Sequence, residues 1–430
     1  MRLALSLVLL LFATPAAAAP LAHREVLPNG IVLLVAERPA VPIVAVRVLL
    51  RAGAVYDPHD RAGLANLTGG LLTRGTAKRT GPELDSAIEF VGGSLEAGAS
   101  RDSLAASLRV LKKDLALGLD LLSEVVLSPT FPEAEVQRKL AEIQASIKRS
   151  DEDPPTVAAR ALTRLVFPNH PYGTPVEGTR ESVARLTRDD VVKFYRAHVR
   201  PDAAIVAVVG AVTVAEARQE VLARFGGWPR PAGAPARVPE AAPGPPPREE
   251  AVARDLTQST LMLGRQAIRQ TNPDYFPLVV GSYVLGGGSA SRLYARVREE
   301  GGLAYTVYSY VSPSKYGSAF IVSAQTRTAE VPRVTAILRE ELLRMTRAPV
   351  TDAELSLAKS YLIGSFPLRL DTSGKVADFV GAIEELGLGL DYGDRYTARG
   401  GRVTAQDVLR VARKYFDPEA FDRVVVGKAP

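Results

Sequence analysis

The residues from Gly286 to Tyr310, GGGSASRLYARVREEGGLAYTVYSY, indicate a fold in which a glycine turn, a helix and a strand follow one another. The opening glycines permit a tight turn and a close backbone approach. Residues 291–300 favour a helix, which the second pair of glycines ends. The alternation over 304–310 predicts a strand. Arg298 and Tyr305 therefore meet near one helix–strand junction, where both can donate hydrogen bonds to a carbonyl or an oxyanion.

A structural role for the same two residues is the alternative. Arg298 is followed by Glu299 and Glu300, either of which can pair with it, and Tyr305 can be half-buried. Spacing alone favours this structural interpretation over a contact with substrate.

The stretch resembles a signature of the pitrilysin/insulinase zinc metallopeptidases, in the branch that contains the bacterial and mitochondrial processing peptidases. That signature has a glycine-rich turn, then S-R-L-[FY]-x-x-[IVL]-R-E, then G-L-[AG]-Y. Its elements are all present, as Gly286–Gly288, Ser291–Tyr294, Arg298-Glu299 and Gly302–Tyr305. The resemblance implies that Arg298 and Tyr305 reach from the second half of the protein to a substrate at the zinc of a first half.

The first half of that family carries H-x-x-E-H on a helix, in the context G-x-A-H-x-x-E-H-x-x-x-[KR]-G-T. Two histidines at i and i+4 bind one metal ion, and the glutamate activates a metal-bound water. Here residues 63–76 read GLANLTGGLLTRGT, with Asn66 and Gly70 at the histidine positions and Gly69 at the glutamate position. Glu142 is the nearest candidate for the further acidic ligand that the resemblance implies. The sequence therefore predicts no metal here.

No other hydrolytic motif is evident. The chain has no cysteine and no G-x-S-x-G, and none of its four histidines is spaced i, i+4 from another. His170, in FPNHPYG, matches a family motif and is interpreted as part of a structural loop rather than as a ligand. An independent hydrolase with an unrecognised site is a third hypothesis.

Composition excludes several classes of protein. The length of 430 residues favours two or more domains. The net charge is +6, but basic and acidic residues are interspersed, without the basic blocks that nucleic-acid binding requires. The absence of cysteine excludes disulfides and a thiol nucleophile.

Residues 1–19 resemble an export signal, with a basic residue, a short apolar run and a small-residue cleavage region. The run is shorter than the ~20 residues that a spanning helix needs. We therefore expect an exported, periplasmic protein without stable membrane insertion after cleavage. Secretion and a retained N-terminal anchor are the alternatives.

The remaining chain divides into a peptidase-like domain (20–228), a Pro-rich linker (229–250) and a second such domain (251–430) that carries the Arg/Tyr pair. Prolines in the linker favour extended backbone. Several residues recur at an offset of 217, such as Thr187 at Thr404, which indicates an internal duplication. The fold class is α+β, with two repeats of an antiparallel sheet covered by helices.

The leading functional hypothesis is a metal-free, non-catalytic subunit of a processing-peptidase-like complex. The resemblance implies a heterodimer in which a zinc-bearing homologue holds the only cofactor, and in which Arg298 and Tyr305 contact a peptide or unfolded polypeptide substrate. A homodimer is the other possible assembly. The alternative function is a peptide-binding or structural homologue with no catalysis in any complex.

Overall fold

Two mixed β-sheets form the framework of the protein. The computed structural model describes residues 20–428, so the expected export signal lies outside the described residues. The strands of the first sheet are β1 (His23–Val26), β2 (Val32–Glu37), β3 (Ile43–Leu50), β4 (Ser94–Ala99), β5 (Leu104–Leu111) and β6 (Ala204–Gly210). Their order is β1–β2–β6–β3–β5–β4, with β2 parallel to β6 and the other neighbours antiparallel.

The second sheet repeats this arrangement without a counterpart of β1. Its strands are β7 (Glu249–Ala253), β8 (Gln258–Ala267), β9 (Ala304–Ser312), β10 (Ser318–Arg327) and β11 (Asp422–Gly427). They lie in the order β7–β11–β8–β10–β9, and again one pair, β7 with β11, is parallel. Strands β4 and β9 therefore hold equivalent places at the edges of their sheets. The repeated topology confirms the predicted two-repeat α+β fold, except that each sheet, expected to be antiparallel, contains one parallel pair of strands.

Helices cover both sheets. In the first half they are α1 (Leu64–Leu71), α2 (Gly81–Phe90), α3 (Leu115–Leu127), α4 (Glu133–Ser150), α5 (Pro154–Val166), α6 (Arg180–Val183), α7 (Arg188–His198) and α8 (Val214–Phe225). In the second half they are α9 (Tyr275–Gly286), α10 (Val331–Arg347), α11 (Asp352–Gly364), α12 (Ser373–Glu385), α13 (Tyr392–Arg402) and α14 (Ala405–Tyr415).

The duplication extends to details of helix capping. The Thr187 hydroxyl accepts the Asp190 N–H at the start of α7, and the Asp190 carboxylate accepts the Thr187 N–H. Thr404 and Asp407 form the same reciprocal cap on α14. Such a capping box satisfies two backbone donors that have no partner within the helix.

One helix from each half packs against the sheet of the other half. Helix α5 packs on β8 and β11, and α12 packs on β3 and β6. Glycines permit both approaches, because a Cβ atom at Gly264 would lie 2.7 Å from a methyl carbon of Leu162, and one at Gly381 would lie 2.6 Å from a methyl carbon of Leu49. The two halves are therefore interlocked, which the linear sequence pattern did not predict.

The Pro-rich linker has no helix or strand between residues 226 and 248, but it is held in place. The Arg200 guanidinium donates to the carbonyl of Gly233 at 2.6 Å. One ring nitrogen of His170, Nε2, lies 3.1 Å from the carbonyl oxygen of Pro239, and the other, Nδ1, accepts the N–H of Tyr172. Because Nδ1 accepts, Nε2 carries the proton and donates to the linker.

Helix α1 carries the degenerate motif positions Asn66, Gly69 and Gly70. Gly63 precedes it with a φ of +94°, a conformation that L residues rarely adopt. The Asp57 carboxylate accepts the N–H groups of Gly63 and Ala65, both at 2.8 Å, which sets the start of the helix. Over residues 20–428, no helix is both long enough and apolar enough to span a bilayer.

Candidate functional site

Gly69, at the glutamate position of the degenerate motif, lies where the backbone of α1 closely approaches strand β4 of the first sheet. A Cβ atom there would lie 2.7 Å from the carbonyl carbon of Gly98 and 2.9 Å from the nitrogen of Ala99, both on β4. Carbon atoms in favourable contact are about 3.5–4.0 Å apart. Any side chain at this position therefore requires α1 or β4 to move.

Lys139 of α4 lies over Gly70, the position of the motif's second histidine. A Cβ atom at Gly70 would touch Cδ and Cε of Lys139 at 3.5 Å. The Lys139 ammonium donates to Oε2 of Glu142 at 2.6 Å, and Arg138 pairs with the other carboxylate oxygen. The hydrogen bond from Lys139 lowers the pKa of Glu142. The carboxylate that the sequence suggested as a ligand is thus already bound to two cations of the protein.

These residues do not fit a zinc ion. The Asn66 side chain makes no hydrogen bond to a described residue, the two glycines have no ligand atom, and Glu142 is engaged by its neighbours. Among residues 20–428, no group of three or more His, Asp or Glu side chains is arranged to hold a metal ion. The chemistry of H-x-x-E-H therefore has no equivalent on this helix.

Gly286 repeats the contact of Gly69 in the second half. It lies 217 residues later, at the end of α9, and a Cβ atom there would lie 2.5 Å from the nitrogen of Ser309 and 3.0 Å from the carbonyl carbon of Tyr308. Both edge strands, β4 and β9, thus receive the backbone of a helical glycine. At Gly69 the first half therefore has the same close helix–strand contact as the second half has at Gly286, and this contact leaves no room for a side chain.

The turn after α9 leads into a π-helix. The Ser291 hydroxyl donates to the carbonyl of Gly288 at 2.6 Å and closes the turn. The next residues form a π-helix, Tyr294–Glu300, where the sequence predicted an ordinary helix over 291–300. Gly302, with a φ of +57°, ends it and starts the approach to β9. Short π-helical segments occur frequently at functional sites.

Tyr305 is the extra residue of a β-bulge. Its neighbours Ala304 and Thr306 pair with consecutive residues of β10, so no residue of β10 faces Tyr305. Val307 and Ser309 are buried, and strict alternation would bury Tyr305 with them. The bulge instead leaves its side chain 75% exposed. A bulge can redirect a side chain in this way.

The structure brings Arg298 and Tyr305 together. The guanidinium carbon of Arg298 lies 5.2 Å from the ring centroid of Tyr305 and 4.9 Å from that of Tyr294. Such cation–π contacts contribute about 0.5–1 kcal/mol each at exposed sites. Tyr294, to which the sequence motif assigned no role, thus also contacts the guanidinium of Arg298.

Arg298 has no carboxylate partner among the described residues. Neither Glu299 nor Glu300 lies within 4.0 Å of it, so the alternative in which one of them pairs with Arg298 does not occur. By contrast, Arg292 and Arg296 of the same segment bind carboxylates of α11 and α10 at 2.6 and 2.7 Å. The guanidinium donors of Arg298 remain free for a ligand.

A cavity of about 740 Å³ lies elsewhere in the first half and contains none of the predicted site residues. Burial raises the pKa of Asp57 on its wall to about 7, although backbone N–H groups of α1 oppose the shift. Arg160 and Arg180 also line it, but both are paired with Asp151. The charges of this cavity are therefore largely satisfied internally.

Comparisons with known proteins agree with the fold and the motifs. The family described as "Insulinase (Peptidase family M16)" matches residues 32–180, and "Peptidase M16 inactive domain" matches residues 185–362. An uncharacterized zinc protease of Streptomyces coelicolor is 31% identical over 404 residues, which cover 91% of this chain and 86% of that protein. An uncharacterized zinc protease of Mycobacterium tuberculosis is 32% identical over 410 residues, covering 93% and 92%.

Solved structures show the same fold. A peptidase M16 inactive domain from Pseudomonas fluorescens has a TM-score of 0.89 at 24% identity and covers 95% of this chain and 98% of its own. A protease from Helicobacter pylori has a TM-score of 0.86 at 21% identity, with coverage of 95% and 99%. The resemblance found in the motifs is confirmed, and the chain belongs to peptidase family M16, the insulinase family.

Proposed function

We propose that this chain is the metal-free, non-catalytic subunit of an exported peptidase complex. In that complex, Arg298 and Tyr305 contact a peptide substrate, and a zinc-bearing homologous subunit cleaves it. The observation that carries the proposal is the free guanidinium of Arg298, stacked on a Tyr305 ring that a bulge exposes to solvent.

The geometry suits contact with a peptide backbone. A guanidinium offers several N–H donors in a plane, and a phenol offers one O–H donor. Contact with the rings of Tyr294 and Tyr305 restricts the orientation of Arg298, so less entropy is lost when it binds a carbonyl oxygen. Donors held in place also stabilise the negative charge that develops on that oxygen during hydrolysis.

The first half supports a division of labour between two chains. Gly69 has no space for a side chain, and Glu142 is bound to Lys139. A chain with donors but no water-activating group contributes to hydrolysis only when another subunit provides that group. A zinc-bearing homologue has the complementary set of residues.

The experiment is co-expression with an exported homologue that has an intact H-x-x-E-H, followed by assays of peptide cleavage. Arg298→Gln and Tyr305→Phe should each lower kcat/KM about 100-fold, since losing one such donor costs about 3 kcal/mol in the transition state. Gel filtration should show unchanged assembly. Arg333→Gln and Tyr361→Phe are matched controls on exposed positions of α10 and α11.

Full cleavage activity in both site variants would refute the role of the pair. A stable homodimer that gives no cleavage with any zinc-bearing homologue would favour the structural alternative instead.

We infer export from residues 1–19. Cell fractionation of the full chain should place it in the periplasm, with a mature N-terminus near Pro20. Recovery of uncleaved chain from the cytoplasm would contradict this.

A further inference from the structure

Strand β9 has an open edge without protecting charges. It is the last strand of the second sheet, and no described residue pairs with its outer side. Its nine residues, AYTVYSYVS, include neither a charged residue nor a proline, which are common means of preventing unwanted strand pairing. The equivalent edge strand β4 has six residues and contains Glu96. Of these two equivalent edges, β9 alone has the features of a template for an added strand.

Three tyrosines line this edge on one face. Tyr305, Tyr308 and Tyr310 are 75%, 44% and 41% exposed, and the rings of the last two are 5.9 Å apart. Tyr310 pairs across the sheet with Ile321, which packs in the cluster beneath α5. The tyrosine row thus continues the face covered by α5. Five residues of strand span about 17 Å.

An arginine stands at each end of the tyrosine row. Arg298 stacks on Tyr305 at one end. At the other end, Arg101 projects from the turn between β4 and β5. Its guanidinium carbon lies 5.8 Å from the ring centroid of Tyr172, and its charge also acts on Tyr310: burial and the neighbouring Tyr308 raise the pKa of the Tyr310 hydroxyl, and the charge of Arg101 opposes the rise. Within residues 20–428, neither arginine has a carboxylate within ion-pair distance.

We propose that the edge of β9 binds an extended acidic peptide as an added strand. Backbone hydrogen bonds would supply affinity, and the two arginines would select peptides with carboxylates at both ends of the tyrosine row. The proposal rests on the proposed function in taking a polypeptide as the ligand. The proposed binding site lies on this chain and does not include the zinc of the partner subunit.

The first test measures fluorescence anisotropy of labelled ten-residue peptides with the purified single chain. A Glu-Thr repeat should bind, the matched Gln-Thr repeat should bind at least tenfold more weakly, and the Lys-Thr repeat should not bind. Arg298→Gln and Arg101→Gln should each weaken the Glu-Thr peptide about tenfold, whereas Arg333→Gln on α10 should leave its Kd unchanged. Equal binding of all three peptides would overturn the acidic preference.

A second pair of peptides tests strand addition itself. N-methylation of every second residue blocks one edge of an extended peptide, so the glutamate-methylated and threonine-methylated versions block opposite edges. One version should lose binding and the other should keep it. Equal effects of the two versions would overturn strand pairing. Tyr308→Glu, which adds a charge to the open edge, should lower affinity more than tenfold without changing Tm.

The zinc-bearing partner is absent from these assays, so they can fail independently of the proposed function. No binding by the single chain would refute the β9 site while the cleavage assay of the complex remains valid. Binding by the single chain together with unimpaired cleavage by the Arg298 variant would refute the proposed function and keep the peptide site.

Discussion

The junction of α1 with β4 and that of α9 with β9 share one backbone contact and differ in what lies beside it. Gly69 and Gly286 each bring a helix onto the backbone of an edge strand. The segment that follows Gly286 presents an arginine, Arg298, in contact with two aromatic rings, whereas Gly70 lies beside an ion pair between Lys139 and Glu142. The first half therefore has neither metal ligands nor space for a water-activating side chain at Gly69, while the second half has an accessible donor pair.

Restoring H-x-x-E-H in the first half tests whether helix α1 and strand β4 can separate enough to accept a side chain at position 69. We expect Asn66→His/Gly69→Glu/Gly70→His to lose more than about 3 kcal/mol of unfolding free energy, because a carboxylate would be forced against the backbone of β4. Urea titration measures the loss. Metal analysis should find no bound zinc.

The double variant Asn66→His/Gly70→His is the control, since a side chain at Gly70 meets only the flexible stem of Lys139. Its stability should stay within about 1 kcal/mol of the parent. A triple variant that is as stable as the parent and binds one zinc ion per chain would contradict this expectation. It would show that the first half lacks only the side chains of the motif and not the space for them.

Substituting Gly69 and Gly286 one at a time tests the two helix–strand contacts directly, with a smaller expected effect on stability. Gly69→Ala and Gly286→Ala should each cost about 2 kcal/mol, even though alanine improves helix propensity by about 1 kcal/mol. The control is Gly98→Ala, because no atom of residues 20–428 lies within 4 Å of a Cβ there. A neutral Gly69→Ala beside a costly Gly286→Ala would mean that only the second junction is tightly packed.

Much of this architecture could be predicted from the sequence. The recurrence of the Thr187 segment at Thr404 and the meeting of Arg298 with Tyr305 both follow from sequence patterns. These features depend on residues close in sequence, where turn chemistry and periodicity act directly.

Other features depend on contacts between distant parts of the chain. The exposure of Tyr305 results from a bulge that is defined only by its register with β10. The sequence motif identified Gly69 as a lost catalytic position, but not as a backbone contact with Gly98. The exchange of α5 and α12 between the sheets likewise has no local signal, because both helices have ordinary amphipathic patterns.

The two halves should also differ in their response to mild acid. In the second half, burial of Glu354 is outweighed by hydrogen bonds from Arg292 and Thr351, which lower its pKa to about 2. Its stabilisation is complete above its ordinary pKa near 4.5 and is lost only as pH falls towards 2. In the first half, burial lowers the pKa of His170, so its stabilisation is complete above about 6.5 and is lost as pH falls below that value.

Protonation of His170 puts a proton on the nitrogen that accepts the N–H of Tyr172, and one hydrogen bond contributes about 1 kcal/mol. We therefore expect the stability advantage of the parent over His170→Gln to shrink by about this amount between pH 7 and pH 5. Urea titrations at both pH values measure it. Asp57 and His198 also have shifted pKa values, but they are common to both proteins and cancel in the difference. A constant difference between pH 7 and pH 5 would mean that His170 holds the linker equally well when charged.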